Sequence, residues 1–178
     1  MDRRSLLRGS GLLIAAQALT IEAGARAKLT PVSPEDEKFT QLAIDQAKHA
    51  DHPFGAIIVR EGRVLALGQN STKRKSDPTA HAEMMAIRAF LDGHEPEAFK
   101  EATLYASGEP CVMCMGAIIW CGIKRVVFAA SIGELEKRIG QIEITCRQIA
   151  NAAPFASVEI TGGVLHKEAI DLFADKIP

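Results

Sequence analysis

The sequence lacks several features that would each indicate a particular class of protein. Beyond its N-terminal segment it contains no hydrophobic run long enough to cross a membrane. It also contains no internal repeat, no low-complexity stretch and no sign of a second domain. Its 178 residues, of which 47% are hydrophobic and 24% charged, are instead typical of one globular domain with a substantial core.

Concentrated positive charge is also scarce. The chain has 21 basic and 22 acidic residues, and its only dense basic cluster is Lys73-Arg74-Lys75. This cluster lies between a predicted strand and a predicted helix, where we expect a solvated loop; a contact with a phosphate at the mouth of a site is the alternative. Because strong binding to a polyanion needs a concentrated basic surface, the composition argues against a nucleic-acid partner.

The N-terminal segment differs from the rest of the chain. Arg3 and Arg4 precede a mildly apolar stretch at residues 9–19, and Ala25-Arg26-Ala27 offers the small residues of a cleavage site. This pattern predicts a twin-arginine signal peptide at residues 1–27.

Export predicts a periplasmic location for the remaining domain, residues 28–178. Removal of residues 1–27 takes away four of the 21 basic and two of the 22 acidic residues, which leaves 17 and 20 and a net charge of −3. The alternative is an N-terminal tail on a cytoplasmic enzyme, since Glu22 and Arg26 make the segment more charged than is usual for a signal.

Four residues form the most informative pattern in the chain. His81 and Glu83 are followed by Cys111 and Cys114, the latter two in a Pro-Cys-x-x-Cys segment. One imidazole and two thiolates hold three corners of a tetrahedral Zn²⁺ site, and no fourth Cys or His lies close by in sequence, which leaves a corner for water. Zinc held in this way lowers the pKa of a water molecule to about 7. Glu83 is then the expected general acid and base, while a zinc knuckle or a chance Cys-x-x-Cys is the alternative.

Two further cysteines lie outside this pattern. Cys121 and Cys146 are both surrounded by apolar residues, which is typical of buried free thiols. A disulfide between them in an oxidising periplasm is the alternative.

Apolar periodicity and turn residues divide the domain into short alternating strands and helices. Ser33-Pro34-Glu35-Asp36 predicts a helix start, and Glu61-Gly62 predicts a hairpin turn. The other predicted helices span residues 80–91, 111–121 and 165–174, and the predicted strands span residues 54–59, 64–67, 103–106, 125–130 and 157–160.

Two of these strands are long and uniformly apolar, which predicts a sheet covered on both faces and hence an α/β protein built as a three-layer α/β/α sandwich. His81 and Cys111 fall at the N-terminal ends of predicted helices. Free backbone N–H groups and the helix dipole favour negative charge there, so a cysteine at such a position binds metal as a thiolate.

Three stretches, at residues 53–56, 77–83 and 108–120, make the chain resemble the cytidine deaminase-like superfamily. Within it they look most similar to bacterial guanine deaminases and related nucleobase deaminases, with tRNA adenosine deaminases close behind. The resemblance implies a three-layer α/β/α sandwich with a central mixed sheet, a Zn²⁺ cofactor, hydrolytic deamination of a free nucleobase and a homodimer. Guanine, converted to xanthine and ammonia, is the expected substrate.

The resemblance also implies substrate contacts. Asn70, eleven residues before His81, is expected to hydrogen-bond the base, and the backbone at Ala82 is expected to orient it. Phe54 and Trp120 are candidates for the walls of the pocket, with plain core packing as the alternative for each.

Other functions remain open at this point. No aromatic residue near the C-terminus matches the tail that closes over the base in well-matched guanine deaminases, so cytosine, a pterin, an amino-triazine or a nucleoside also fits the frame. A tRNA adenosine deaminase and a non-catalytic, zinc-stabilised binding domain are the alternatives from other functional classes.

Overall fold

The computed structural model describes residues 27–174. No helix within this range is long and apolar enough to cross a membrane. In chain order the elements are β1 (Ala27–Leu29), α1 (Pro34–Ala47), β2 (Gly55–Arg60), β3 (Arg63–Gln69), α2 (Ala82–Leu91), a 3₁₀ helix (Pro96–Glu101), β4 (Thr103–Gly108), α3 (Val112–Cys121), β5 (Arg125–Ala130), α4 (Ile132–Leu135), α5 (Cys146–Ala152), β6 (Val158–Gly162) and α6 (His166–Asp171).

The six strands form one mixed sheet in the order β1-β6-β5-β4-β2-β3. β4, β5, β6 and β1 run parallel to one another, whereas β2 pairs antiparallel with both β3 and β4. Parallel neighbours bring the carboxyl ends of β4 and β5 to the same edge of the sheet, and the chain leaves β4 at that edge to form the Cys111 turn.

Alternate residues of the central strands face two different helical layers, as the period of a β-strand requires. Ile58, Leu104 and Val126 face a buried cluster that includes residues of α2, α3 and α5. Their neighbours Ile57, Tyr105 and Val127 face a second cluster, which includes residues of α1. The predicted three-layer sandwich with a mixed sheet is thereby confirmed.

The start of α1 and the hairpin also match their predictions. Ser33 is the N-cap of α1, Pro34 is its first residue, and Asp36 completes a capping box. Glu61 and Gly62 connect β2 and β3 with positive φ angles of 51° and 71°, the backbone that a tight hairpin turn requires.

A buried ion pair ties α1 to the sheet on the face opposite α2 and α3. Arg125 donates to both carboxylate oxygens of Asp36, at 2.8 and 2.9 Å, and the Tyr105 hydroxyl donates to one of them at 3.2 Å. Burial alone would raise the pKa of Asp36, but the hydrogen bonds from Arg125 and Ser33 outweigh it and hold that pKa below its usual value.

The sequence patterns missed β1, the 3₁₀ helix, α4 and α5. The missed elements have three to seven residues, too few to display a hydrophobic period. α4 and α5 each begin with a capping box, formed by Ser131 with Glu134 and by Thr145 with Gln148, so a local signal for both was present in the sequence.

Most of the predicted signal peptide, residues 1–26, lies outside the described residues. Its last residue, Ala27, is buried as the first residue of β1, and its N–H donates to the side-chain oxygen of Asn151 at 3.1 Å.

Candidate active site

His81 and Cys111 occupy equivalent positions at the starts of two helices. His81 is the N-cap of α2 and Cys111 is the N-cap of α3, and both have extended backbone dihedrals. Neither side chain caps its own helix. Both side chains instead converge with the side chain of Cys114, which lies in the first turn of α3.

The spacing of these three side chains fits a zinc ion. Nδ1 of His81 lies 3.6 Å from Sγ of Cys111 and 3.7 Å from Sγ of Cys114, and the three ligand atoms all lie within 4.8 Å of one another. Tetrahedral zinc with ordinary Zn–N and Zn–S bond lengths would separate such a nitrogen and sulfur by about 3.6 Å. The predicted ligands His81, Cys111 and Cys114 are therefore placed as a metal site.

The protonation of this cluster prepares it for a cation. The pKa of the Cys111 thiol falls to about 4, chiefly because Cys114 donates a hydrogen bond to it and also because His81 lies beside it. The same hydrogen bond, together with burial, raises the pKa of Cys114 far above its ordinary value. The hydrogen bond to Cys111 also raises the pKa of His81. Binding of a metal by two thiolates would therefore displace a proton from Cys114.

Glu83 lies in the first turn of α2, two residues after His81, and only 6% of it is exposed. Burial raises the pKa of its carboxyl to about 7, and the negative charge of Cys111 adds to the effect. A carboxyl group with a pKa near the working pH can both accept and return a proton. This environment fits the predicted role of Glu83 as a general acid and base.

α2 approaches the sheet unusually closely at its first turn, and a glycine permits this. A Cβ atom on Gly68 of β3 would lie 2.1 Å from the carbonyl oxygen of Ala82 and 2.5 Å from the backbone nitrogen of Ala86. The N–H of Ala82 belongs to the first helical turn, whose N–H groups have no intrahelical acceptor. It therefore lacks an intrahelical acceptor, which is consistent with the predicted role of Ala82.

Asn70 follows β3 directly and lies beside the His81 segment. Its neighbour Ser71 donates its N–H to the carbonyl of Ala80 at 2.9 Å, and Asn70 itself donates its N–H to the carbonyl of Phe54 at 3.0 Å. Asn70 is 4% exposed. The structure thus brings Asn70 to the edge of the sheet where α2 begins.

Of the two candidate wall residues, Phe54 lies near this edge. Its ring would contact a Cβ atom on Gly108 at 3.0 Å, and Gly108 is three residues before Cys111. The ring also meets Phe173 edge-on, with centroids 5.2 Å apart. Phe173 is buried in the core, so this C-terminal aromatic packs beneath Phe54.

Trp120 lies at the opposite end of α3 from the ligands. It is 79% exposed, and its ring stacks on Phe155 at a centroid distance of 4.8 Å. Nine residues of helix separate it from Cys111, a rise of about 13 Å. The structure therefore does not bring Trp120 to the metal ligands.

Sequence reasoning missed Glu109, a buried carboxylate that holds the cysteine turn in place. One of its oxygens accepts the N–H of Ile132 at 2.9 Å and the other accepts that of Cys146 at 2.8 Å, so it joins the starts of α4 and α5. Its own N–H donates to the carbonyl of Ala130 at 2.7 Å. Its position just before Pro110 was the available signal, because a charged residue between a buried strand and a ligand turn needs partners.

Cys121 and Cys146 are both free thiols. Cys146 is buried in the core cluster, and Cys121 packs against the same cluster. The expectation of free thiols in apolar surroundings is confirmed.

Comparison with known families identifies the group to which the fold and the ligands belong. The family described as "Cytidine and deoxycytidylate deaminase zinc-binding region" matches residues 33–130, which include the three ligands and Glu83. The chain belongs to this family. It is accordingly a zinc-binding deaminase, an enzyme that hydrolyses a C–N bond, and the proposal of a non-catalytic domain is set aside.

The similar proteins include guanine deaminases and tRNA-specific adenosine deaminases. The chain is 47% identical to guanine deaminase of Bacillus subtilis over 78 residues, which are 44% of this chain and half the length of that enzyme. It is 36% identical to tRNA-specific adenosine deaminase of Haemophilus influenzae over 75% of this chain and 78% of that enzyme. The solved guanine deaminase of Nitrosomonas europaea is 27% identical, with a TM-score of 0.64, over 82% of this chain and 85% of the other.

Proposed function

We propose that this deaminase converts free guanine to xanthine and ammonia. The observation that carries the proposal is the 47% identity to a guanine deaminase over 78 residues of the chain. The likeness to a second guanine deaminase over four fifths of the chain supports it. The near balance of 21 basic and 22 acidic residues, with a single dense basic cluster, is consistent with a small, uncharged substrate.

The chain's own residues divide the chemistry among them. His81, Cys111 and Cys114 would hold the zinc ion, which, when bound, supplies the acidity that makes water nucleophilic near neutral pH. The Glu83 carboxylate would accept a proton from the attacking water and deliver it to a ring nitrogen of the base. It would then carry the proton of the newly added hydroxyl to the amine, so that ammonia leaves. Burial raises the pKa of the Glu83 carboxyl, which helps it to return a proton that it has accepted.

A substrate panel tests the proposal. Purified zinc-loaded protein is incubated with guanine, adenine, cytosine, a pterin, adenosine and an anticodon stem-loop RNA, and ammonia release is measured. We expect ammonia and xanthine from guanine in equal amounts. Protein carrying Glu83→Gln, purified in the same way, controls for contaminating deaminases. Ammonia from another heterocycle, with none from guanine, would contradict the substrate assignment while leaving the deaminase chemistry intact.

A tRNA adenosine is the second candidate substrate, favoured by the 36% identity over three quarters of the chain. Within the basic cluster Lys73-Arg74-Lys75, the side chain of Arg74 already binds other residues of the chain. Its side chain pairs with Asp51 at 3.0 Å and donates to the carbonyl of Asn70 at 3.0 Å. Deamination of the stem-loop RNA in the panel would favour this candidate, and its rate would fall steeply with added salt.

We also propose that the enzyme is a homodimer. α3 contains no charged residue, and a row of its side chains at helical spacing is left half-buried or exposed on one side, namely Val112, Met113, Gly116, Ala117 and Trp120. An apolar face of this kind favours burial against a second copy of the chain.

Export through the twin-arginine route remains a proposal supported by Arg3 and Arg4. Replacement of both arginines by lysine keeps the charge but removes the recognised pair, so the precursor is expected to accumulate in the cytoplasm. Cell fractionation checks this. Unprocessed, active wild-type protein found in the cytoplasm would contradict it.

A further inference from the structure

The side chain of Asn70 has a fixed orientation. Its side-chain oxygen, Oδ1, accepts a hydrogen bond from the Thr72 hydroxyl at 2.9 Å and a second from the Thr72 backbone N–H at 3.3 Å. A backbone N–H can only donate, so the amide atom that faces it must be the oxygen and not the nitrogen. The backbone contact therefore shows which end of the amide points away from the turn, and the shorter bond from the Thr72 hydroxyl adds to its hold on that orientation.

The other polar groups of Asn70, apart from its side-chain nitrogen Nδ2, also form hydrogen bonds. Its N–H donates to Phe54, and its carbonyl accepts from the N–H of Asp51 and from the side chain of Arg74. Among the described residues, no hydrogen-bond acceptor contacts the side-chain nitrogen Nδ2.

This nitrogen is accessible although the residue is buried. Among the described residues, two buried side-chain atoms are closed off from solvent and have no hydrogen-bond partner, namely Thr40 Oγ1 and Arg60 Nε. Nδ2 of Asn70 also has no acceptor but is not one of these two atoms, so it is not closed off. Solvent, or a ligand, can therefore reach it. At the edge of the sheet where His81 begins α2, Asn70 presents a donor and no acceptor.

We propose that Thr72 is a positioning residue that determines specificity by holding the Asn70 amide in one orientation. The site then selects heterocycles that present a hydrogen-bond acceptor to Asn70. This acceptor is either a ring nitrogen or a carbonyl oxygen. This inference rests on the proposed function for the identity of the base and for the contact between the base and Asn70. A locked amide rejects a base that offers an amine at that position, because two donors would face each other without water between them. An amide held only by the longer contact from the backbone N–H of residue 72 would turn more readily and discriminate less between the two kinds of base.

Thr72→Val tests the proposal, because valine keeps the shape of threonine and loses the hydroxyl. We expect kcat/KM to fall about tenfold, which is the usual effect of losing one such hydrogen bond, and to fall mainly through KM. Zinc content is expected to stay at the wild-type level. Thr72→Ser, which restores the hydroxyl, is expected to restore kcat/KM to within about twofold of wild type.

The same loop offers a matched control. Thr79 donates to Asp77 through its backbone N–H at 2.8 Å and its hydroxyl at 2.6 Å, the same pair of contacts that Thr72 makes with Asn70. Thr79→Val therefore removes an equivalent hydroxyl without touching Asn70. We expect its kcat/KM to stay within about twofold of wild type. An equal loss in Thr72→Val and Thr79→Val would show a general effect on the loop and overturn the proposal.

Substrate analogues test the selection itself. Guanine, 2,6-diaminopurine and 7-deazaguanine share the 2-amino group. In 2,6-diaminopurine an amine replaces the O6 carbonyl and N1 becomes an acceptor, whereas in 7-deazaguanine a C–H group replaces the N7 acceptor. The analogue that lacks the acceptor facing Asn70 is expected to be a poor substrate for wild type and to lose little more from Thr72→Val. Equal sensitivity of all three bases to the substitution would contradict the proposal. If the panel identifies another heterocycle as the substrate, the guanine proposal fails, and the same variants measured on that heterocycle still decide the role of Thr72.

Discussion

At the scale of single residues, the site uses the first turns of two helices for chemistry rather than for capping. N-cap positions are normally filled by residues whose side chains accept a backbone hydrogen bond, which stabilises a helix by about 1 kcal/mol. His81 and Cys111 make no such bond, and their side chains meet each other and Cys114 instead. Bound metal offsets that loss, because the free energy of zinc binding adds to the stability of the folded protein.

The roles of Glu83 and the ligands can be separated by substitution. Glu83→Gln keeps the size of the side chain and all three ligands but cannot carry a proton, so turnover is expected to fall at least a hundredfold with zinc content unchanged. Cys114→Ala removes a ligand and is expected to lose zinc and activity together. Atomic absorption and ammonia release measure the two effects. A Glu83→Gln enzyme with more than about a tenth of wild-type turnover would rule out the general acid and base role.

At the scale of elements, glycines set how closely helices approach the sheet on both faces. Gly68 lets the start of α2 lie against β3, and Gly55 does the same for α1, where a Cβ atom would lie 2.1 Å from the carbonyl of Ala43. The contact at Gly68 matters for function because His81 and Glu83 lie at the start of α2 and shift with that helix. A shift of about 1 Å in reacting groups can lower a rate a hundredfold.

Gly68→Ala is therefore expected to act on activity as well as on stability. The added methyl group overlaps backbone atoms of α2, so we expect the free energy of unfolding to fall by about 2 kcal/mol and kcat to fall at least tenfold. Gly93→Ala is the control, since a Cβ atom there would meet nothing within 4 Å. Urea unfolding and ammonia release on both variants check the expectation. Unchanged kcat in Gly68→Ala would show that α2 tolerates the displacement.

Sequence patterns predicted the elements in which a local signal accompanies an apolar pattern, whereas the short helices α4 and α5 were missed despite their capping boxes. The capping box at Ser33, the turn at Glu61-Gly62 and the apolar run of β5 each fix an element from within a few residues. The three ligands were predictable because their chemistry demands particular residue types at short spacings. Glu109 and Thr72 were not, since their roles arise from hydrogen bonds whose partners become neighbours only through the fold or a turn.

At the scale of the whole molecule, Asp36 and Arg125 join α1 to the start of β5, on the opposite side of the sheet from α2 and α3. The pKa of Asp36 is lower in the folded protein than its usual value. Such a group stabilises the fold above its unfolded pKa, near 3.9, and this stabilisation is lost as the pH falls from there towards the folded pKa.

Asp36→Asn is expected to lower the free energy of unfolding at pH 7 by about 3 kcal/mol, because it leaves Arg125 without its carboxylate. It should also flatten the loss of stability that the wild type shows below about pH 4. Asp45→Asn is the control, since its 2.7 Å pair with Lys48 is exposed and contributes about 0.5 kcal/mol or less. Urea unfolding between pH 7 and pH 3 measures both. Parallel pH curves for wild type and Asp36→Asn would contradict the role of the ion pair.

The proposed dimer is tested at micromolar concentration by light scattering. Gly116→Arg places a charge in the middle of the half-buried face of α3, where a Cβ atom would meet nothing within 4 Å in the single chain. We expect wild type to have twice the mass of the chain and the variant to be monomeric, because an unpaired charge at an apolar interface is costly. A monomeric wild type would contradict the proposal.

The pairing of β1 with β6 has a consequence for maturation. The bond between Ala27 and Lys28, where signal removal is predicted, lies within a strand whose residues pair with Val158, Glu159 and Ile160. A protease needs its substrate strand free of other partners, so cleavage of a protein exported in the folded state requires β1 to leave the sheet. Three edge residues can detach by local opening, at far less cost than global unfolding. Substitutions that strengthen the pairing of β1 with β6 would therefore slow signal removal and leave the metal ligands unchanged.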